Sequence, residues 1–470
     1  MFLTPRNGRA PCPVLALADD LSGAAETAAA LRLPARIVLG PGATPPADAG
    51  RVLIVDLDTR QRDAGEAARI VREAVRTAAA GTVLIKKTDS LLRGNLAAET
   101  AAYAEGADGL VFAPALPVAG RTVRDGIVHL HGRPLHETDA WRAETRPVPR
   151  SVAEALGGIP TAVVPLAAVR SSLGDLTARL RDFIAAGLTP VCDSEADADL
   201  DALAAAALRL GPGARLMGTG GFAAALGRVL AGADGPPKPS GEFLESPEPS
   251  EPSELPSEVA HGPSSGPRPV PARASEVARP LLVVVGTAEP GAVAQIAQLT
   301  AVGARHLALP MELLTRTGAP VPLTVGPEDA LTVVSVDNSE GIQAGSARRV
   351  VAGLARSVAT VPYPADLVLT GGETARRVLD ALGVSQLLPV GQIHHGAVHS
   401  RTPDGRSVVT RPGSYGDTGS LLRIARALRP HHPFASAVPS GPPVAPVPVP
   451  ASASASASVP VPSVPQGEVL

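Results

Sequence analysis

Residues 14–24 read VLALADDLSGA: an apolar run, two adjacent aspartates, then residues that open a helix. A short apolar run without alternation fits a strand buried on both faces. The same order recurs along the chain. VLIVD (52–56) runs into LDTRQR (57–62), VLIK (83–86) into KTDSLLRGN (87–95), and GLVFA (109–113) into PALPVAGRT (114–122). Further strand-like runs are Ala162–Pro165, Leu281–Val285, Leu331–Val336 and Asp366–Thr370. Helical patterns lie between them. In Ala64–Ala79, residues Ala67, Val71, Ala74, Val75 and Ala78 share one face, while Glu66, Arg69, Arg72 and Arg76 lie elsewhere. Alternating strands and helices predict an α/β fold of two domains. Each is a mainly parallel sheet flanked by helices, with a ligand cleft between them. In such sheets ligands bind beyond the carboxyl ends of the strands, so the polar strand ends are the places to look.

Composition bounds the organisation. The chain has 470 residues, of which 45% are hydrophobic and only 2% aromatic, so Ala, Val and Leu must fill the core. Few rings and a net charge of −3 argue against a nucleic-acid partner. Cys12 and Cys192 are expected to be reduced thiols. No run of 18 apolar residues occurs, and the first residues do not form a secretory signal, which predicts a cytoplasmic location. Residues 234–280 are rich in Pro, Ser and Glu and read as a disordered linker; residues 430–470 read as a disordered Pro/Ala/Ser tail. That leaves an N-terminal domain, 12–233, and a C-terminal domain, 281–429.

The strand ends carry the candidate chemistry. Asp19 and Asp20 would bind hydroxyls, hold a metal or act as a base, unless one merely caps the next helix. Arg60 offers a bidentate grip for a carboxylate. Lys87, Asp89, Arg93 and Asn95 suit a small polyhydroxy acid: cations for its carboxylate, Asp and Asn for its hydroxyls. Arg121 is a further anion contact. In the C-terminal domain three glycine turns follow apolar runs: Gly286-Thr287, Gly371-Gly372-Glu373-Thr374, and Arg411-Pro412-Gly413-Ser414-Tyr415-Gly416. Glycine turns leading into helix N-termini are phosphate seats, and three in one domain read as a nucleotide site. No GxxxxGK[ST] and no GxGxxG is present, which argues against a P-loop enzyme and a Rossmann dehydrogenase. His394, His395 and His399 read as loop histidines, not as a metal site; metal ligands are not identifiable.

Taken together, ADDLSGA, DLDTRQR, KKTDSLLRGN, PALPVAGRTVRDG, GTGGFAAAL, VVVGTAEPGAVAQI, LTGGETA and VVTRPGSYGD resemble the four-carbon acid sugar kinase family. The resemblance runs in order through both domains and implies an N-terminal sugar-acid domain and a C-terminal ATP domain. It implies phosphorylation of the terminal hydroxyl of threonate, erythronate or a 3-oxo-tetronate. On it, Asp20, Arg60, Lys87, Asp89, Arg93 and Asn95 face the acid, while Thr287, Gly371, Gly372, Glu373, Thr374, Gly413 and Ser414 face the nucleotide. The chain departs from the family at Glu289, Ala292, Leu91, Arg411 and Ser414-Tyr415. The first two motivate an alternative: a sugar-acid-binding regulatory homologue without ATP use. For the kinase, ATP and Mg²⁺ are the expected cofactors, Asp89 or Asp20 the candidate base, and a homo-oligomer is left open.

Overall fold

A computed structural model describes residues 14–40, 52–142, 144, 146–232, 279–287, 290–316, 319–326, 329–337, 347–413 and 416–435. The expected linker and tail fall outside these residues, except for 279–280 and 430–435; Cys12, Glu289, Ser414 and Tyr415 also fall outside.

The first part of the chain supplies β1 (Val14–Ala18), β2 (Ala35–Leu39), β3 (Val52–Asp56), β4 (Val83–Lys87) and β5 (Gly109–Ala113). A small antiparallel sheet of β6 (Arg121–Arg124), β7 (Ile127–Leu130) and β8 (Arg133–Pro134) follows, then β9 (Thr161–Val164), β10 (Thr189–Cys192) and β11 (Ala214–Gly218). The second part supplies β12 (Leu281–Val285), β13 (Arg305–Pro310), β14 (Leu331–Asp337), β15 (Asp366–Thr370), β16 (Gln386–His394), β17 (Ala397–Arg401) and β18 (Ser407–Arg411). The N-terminal sheet runs β2-β3-β1-β4-β11-β5-β10-β9, all parallel. The C-terminal sheet runs β13-β14-β12-β15-β18, parallel, and ends in antiparallel β17 and β16. Every residue of β1, β12, β15 and β18 is buried, as strands covered by helices on both faces require. Each fully buried Leu or Val there contributes about 1.5–3 kcal/mol, so an aliphatic core suffices.

The two sheets are not separate. β2 and β16 pair antiparallel through Ile37↔Leu387 and Val38↔Gln386, making one sheet of 15 strands. Leu39 N–H donates to Ser385 O (2.9 Å), and Arg36 Nη1 to Gln386 Oε1 (2.9 Å). Each strand would otherwise be an open edge, and pairing the two satisfies both.

Each sheet has a point where the chain changes direction of winding. Beside β1, the chain builds β3 and β2 on one side and β4 on the other. Beside β12, it builds β14 and β13 on one side and β15 on the other. Open α/β sheets bind ligands at these crevices. The ends of β1 and β4 carry Asp19, Asp20, Lys87 and Asp89; the ends of β12 and β15 carry Gly286, Thr287, Gly371 and Gly372.

Two local readings need correction. The helix expected over 64–79 spans Ala64–Val75. Thr77 Oγ1 bonds back to Ala74 O (2.7 Å), competing with the helical ladder, and the chain turns toward Gly81 at φ 79°. The three histidines do not sit in an open loop: His394 ends β16, Gly396 (φ 82°) makes the turn, and His399 lies within β17.

Candidate active site

Helix Leu21–Leu31 starts directly after β1, and Asp20 caps it, its Oδ1 accepting from Gly23 N–H (2.7 Å). The cap fixes Asp20 so that its other oxygen points away from the helix. Arg60, from the loop after β3, reaches back across the strand ends. It donates through Nε and Nη2 to Asp19 (2.8 and 3.1 Å) and through Nη1 to Asp20 Oδ2 (2.6 Å). Its Nη2 also stands 3.9 Å from Asp89 Oδ1. Arg93 grips Asp89 with two parallel bonds, Nε–Oδ2 at 2.8 Å and Nη2–Oδ1 at 2.9 Å. Asp19, Asp20, Arg60, Asp89 and Arg93 thus form one cluster, in which Asp19 and Asp89 are buried and the other three half-buried, as their shared position at strand ends leads one to expect.

Each neighbouring lysine has a glutamate partner within the protein. Lys86 Nζ is bound to Glu99 Oε2 at 2.6 Å and Lys87 Nζ to Glu26 Oε2 at 3.1 Å. Neither glutamate stands out as a strand-end residue. A sequence signal existed, however: AAET occurs twice, at 24–27 and 97–100, once in each helix that follows β1 and β4. In both copies Thr bonds back to its own helix (Thr27 Oγ1 to Gly23 O, Thr100 Oγ1 to Leu96 O), and Glu faces a strand-end lysine. Asn95 also has a protein job. Its amide donates to Thr59 O (2.9 Å) and Arg62 O (2.8 Å), tying down the loop that presents Arg60. Arg121 Nη1 donates to Ser90 Oγ.

Burial and neighbours set the charges. Burial raises Asp19, but the charges of Arg60, Lys86 and Lys87 outweigh it and hold the carboxyl below its ordinary range. Asp20 goes the other way: burial, with help from the adjacent Asp19 charge, exceeds the pull of Arg60 and Lys87 and raises its pKa. For Asp89 burial is overcome by the Arg93 hydrogen bonds and the Arg60 and Arg93 charges, so its carboxyl titrates far below the usual carboxylate range.

In the second half, the three glycine turns converge. A Cβ built on Gly286 would fall 2.0 Å from Thr374 Oγ1, so the two turns touch, and one on Gly413 would lie 3.8 Å from Gly371 Cα and 3.9 Å from Thr287 Cγ2. Gly371 N–H donates to Arg411 O (2.7 Å). Gly371 holds φ 88°, ψ 131°, a conformation closed to L side chains, and helix Gly372–Ala381 begins at once with Glu373 in its first turn. Arg411 is buried beneath this surface, with Nη1 donating to Ser420 Oγ (3.0 Å); desolvation lowers its pKa to about 10. Gly416 crosses over it, since its Cβ would lie 3.0 Å from Arg411 Nη1. Ala292 is core.

The halves meet at these two sets of residues. A Cβ on Gly372 would lie 2.7 Å from Asp20 Oδ2 and 3.0 Å from Ser22 Oγ. Around that contact three arginines of the second half bind the end of β3 and the loop after it: Arg376 to Asp56 (2.9 Å), Arg377 to Asp58 (3.1 Å) and Arg348 to Gln61 O. Sequence reasoning missed these arginines, which look like ordinary surface residues of amphipathic helices. Among the described residues there is no group of three or more His, Cys, Asp or Glu that could hold a metal ion, and no helix long and apolar enough to cross a membrane. Cys192 is a buried free thiol, its pKa pushed up by burial.

Comparison with known proteins matches the two halves to separate family models. A model described as a sugar-binding N-terminal domain matches residues 14–226, and one described as a nucleotide-binding C-terminal domain matches residues 282–421. A D-threonate kinase of Cupriavidus necator is 33% identical over 88% of this chain and 97% of its own length. A D-threonate kinase of Bordetella bronchiseptica is 32% identical over 88% and 96%. A crystal structure from Salmonella typhimurium LT2 superposes with a TM-score of 0.67 at 19% identity, over 88% of this chain and 99% of that one, and shares the fold. With both domain models matched and kinase relatives aligned along almost their whole length, the chain belongs to the four-carbon acid sugar kinase family and is an ATP-dependent sugar-acid kinase.

Proposed function

We propose that the chain moves the γ-phosphate of ATP to the terminal hydroxyl of a four-carbon acid of the D-threonate type, with Asp20 accepting the hydroxyl proton. The abutment of Gly372 on Asp20 carries this reading: the glycine turn suited to phosphates touches the carboxylate end suited to hydroxyls. A nucleotide over Gly286, Thr287, Gly371, Gly372, Glu373, Thr374 and Gly413 would present its last phosphate toward Asp20, and phosphoryl transfer needs little beyond such positioning. Asp20 suits the base because its pKa is raised. Asp89 suits it poorly. Both carboxyls have their oxygens engaged, Asp20 by Gly23 N–H and Arg60, and Asp89 by Arg93, so acidity separates them: a strongly acidic carboxyl is a weak base. Asp89 instead holds Arg93 and, with the Leu91 and Arg93 N–H groups, shapes the loop after β4.

Mg²⁺ fits this donor set as an ion carried by phosphates and water, which needs only one or two carboxylates from the protein. Glu373, beside the glycine turn, is the residue placed to offer one; the ion would offset charge on the transferring phosphate.

The direct test is a panel of four-carbon acids with ATP, coupled to ADP detection. Acid-dependent ADP release with D-threonate or a close stereoisomer is expected, and no acid-dependent release across the panel would overturn the reading. Gly371→Ala should raise KM for ATP by about 5- to 150-fold, because a side chain at this φ/ψ costs about 1–3 kcal/mol, which the free turn relieves only by leaving the shape proposed to hold the phosphates. KM for the acid should stay within threefold; an unchanged ATP KM would remove the turn from the nucleotide site.

A further inference from the structure

The proposed substrate is an anion, so some cation must hold its carboxylate. Most cations at the N-terminal strand ends are already neutralised by the protein. Arg60 serves Asp19 and Asp20, Arg93 serves Asp89, Lys86 serves Glu99, Lys87 serves Glu26, and Arg62 serves Asp58 and Glu66. Using any of them on a ligand would strand a carboxylate, several of them buried, at a cost that offsets the gain.

Arg121 is different. Its guanidinium donates through Nη1 to the neutral Ser90 hydroxyl, its Nε is buried with no hydrogen-bond partner, and among the described residues no carboxylate lies within ion-pair distance of it. The residue as a whole remains partly exposed. Its backbone is fixed by two bonds with Leu116 (2.8 and 3.1 Å) and by pairing with Leu130 in the small sheet. Ser90 directly follows Asp89, so contacts link Arg121 to Asp20 through Ser90, Asp89 and Arg60. A four-carbon acid carries its carboxylate at one end and its terminal hydroxyl at the other.

We infer that Arg121, supported by Ser90, grips the substrate carboxylate and selects acids over neutral polyols, while Arg60, Arg93 and Lys87 are positioning residues locked in internal pairs. The inference rests on the function proposed above. A fork with unspent donors and uncompensated charge matches a carboxylate in both geometry and charge.

The test compares Arg121→Ala and Arg121→Lys with wild type, using D-threonate binding by calorimetry and steady-state kinetics. Arg146→Ala is the comparison variant, since Arg146 is exposed and bonded only to the neutral Gly94 carbonyl. Arg121→Ala should weaken acid binding and raise KM for the acid by about 10- to 150-fold, as expected for a charge-assisted contact. Its melting temperature and ATP KM should be unchanged, and Lys should restore part of the loss. Acid binding within threefold of wild type in Arg121→Ala, or a loss on Arg146→Ala instead, overturns the inference alone. A wild-type enzyme that binds no four-carbon acid overturns the parent reading, and this one with it.

Discussion

Asp20→Asn should lower kcat by about 10²- to 10⁴-fold, the range for removing a positioned acid–base group. The substitution is chosen because it spares the structure. Asn caps helices about as well as Asp, so the bond from Gly23 N–H and the helix Leu21–Leu31 should persist. Arg60 keeps both of its bonds to Asp19. Binding of ATP should therefore be near normal while turnover collapses. The pH profile gives a second readout. A base works only when deprotonated, and burial has raised Asp20, so wild-type kcat/KM should climb with pH along a limb shifted above the ordinary aspartate range. Asp20→Asn should lose that limb. Turnover within tenfold of wild type, with the limb intact, would reduce Asp20 to a cap and a partner for Arg60.

Much of this site is legible without coordinates, for a physical reason. A parallel sheet buries its strands on both faces, so polar residues at strand ends stand out, and those ends converge where the winding changes direction. That is how Asp19, Asp20, Arg60, Asp89 and Arg93 are found together, and Gly286, Gly371 and Gly413 likewise. Pairing is what the sequence conceals. Lys87 reads as a free cation until Glu26, one helix away, is seen to claim it, and Asn95 reads as a hydroxyl binder until its amide is found on Thr59 O and Arg62 O. The junction of the sheets is concealed for a related reason. ARIVL (35–39) opens with Ala and Arg, and QLLPVGQIH (386–394) contains Pro and Gly, so neither has the pure apolar run of β1 or β12. Edge pairing between distant segments is a property of two strands at once, and no single window displays it.

The same junction supplies the second large effect. Arg376 is 11% exposed and Asp56 is fully buried, so in Arg376→Ala the carboxyl loses its charged partner and takes up a proton, at about 1.5–3 kcal/mol at pH 8, the range for a hydrogen bond to a charged group. The pair spans the two halves, and Arg376 lies on the helix whose first residue, Gly372, rests on Asp20. Loss of kcat should therefore accompany loss of stability. Burial raises Asp56 from 3.8 to about 7 despite the opposing charge of Arg376. A folded value above the unfolded one means that the proton is held better by the folded chain. This contribution to stability is complete below about pH 3.8 and is lost as pH rises through about 7, an interval worth about 4 kcal/mol. Asp56→Asn cannot ionise, so it should lack this slope and be more stable than wild type above pH 7. Arg376→Ala removes the cation, raises Asp56 further and extends the loss to higher pH. Urea midpoints of the three proteins from pH 5 to 9 decide the matter. If Arg376→Ala matches wild type at pH 8 and Asp56→Asn keeps the wild-type slope, the pair neither latches the halves nor sets their pH response.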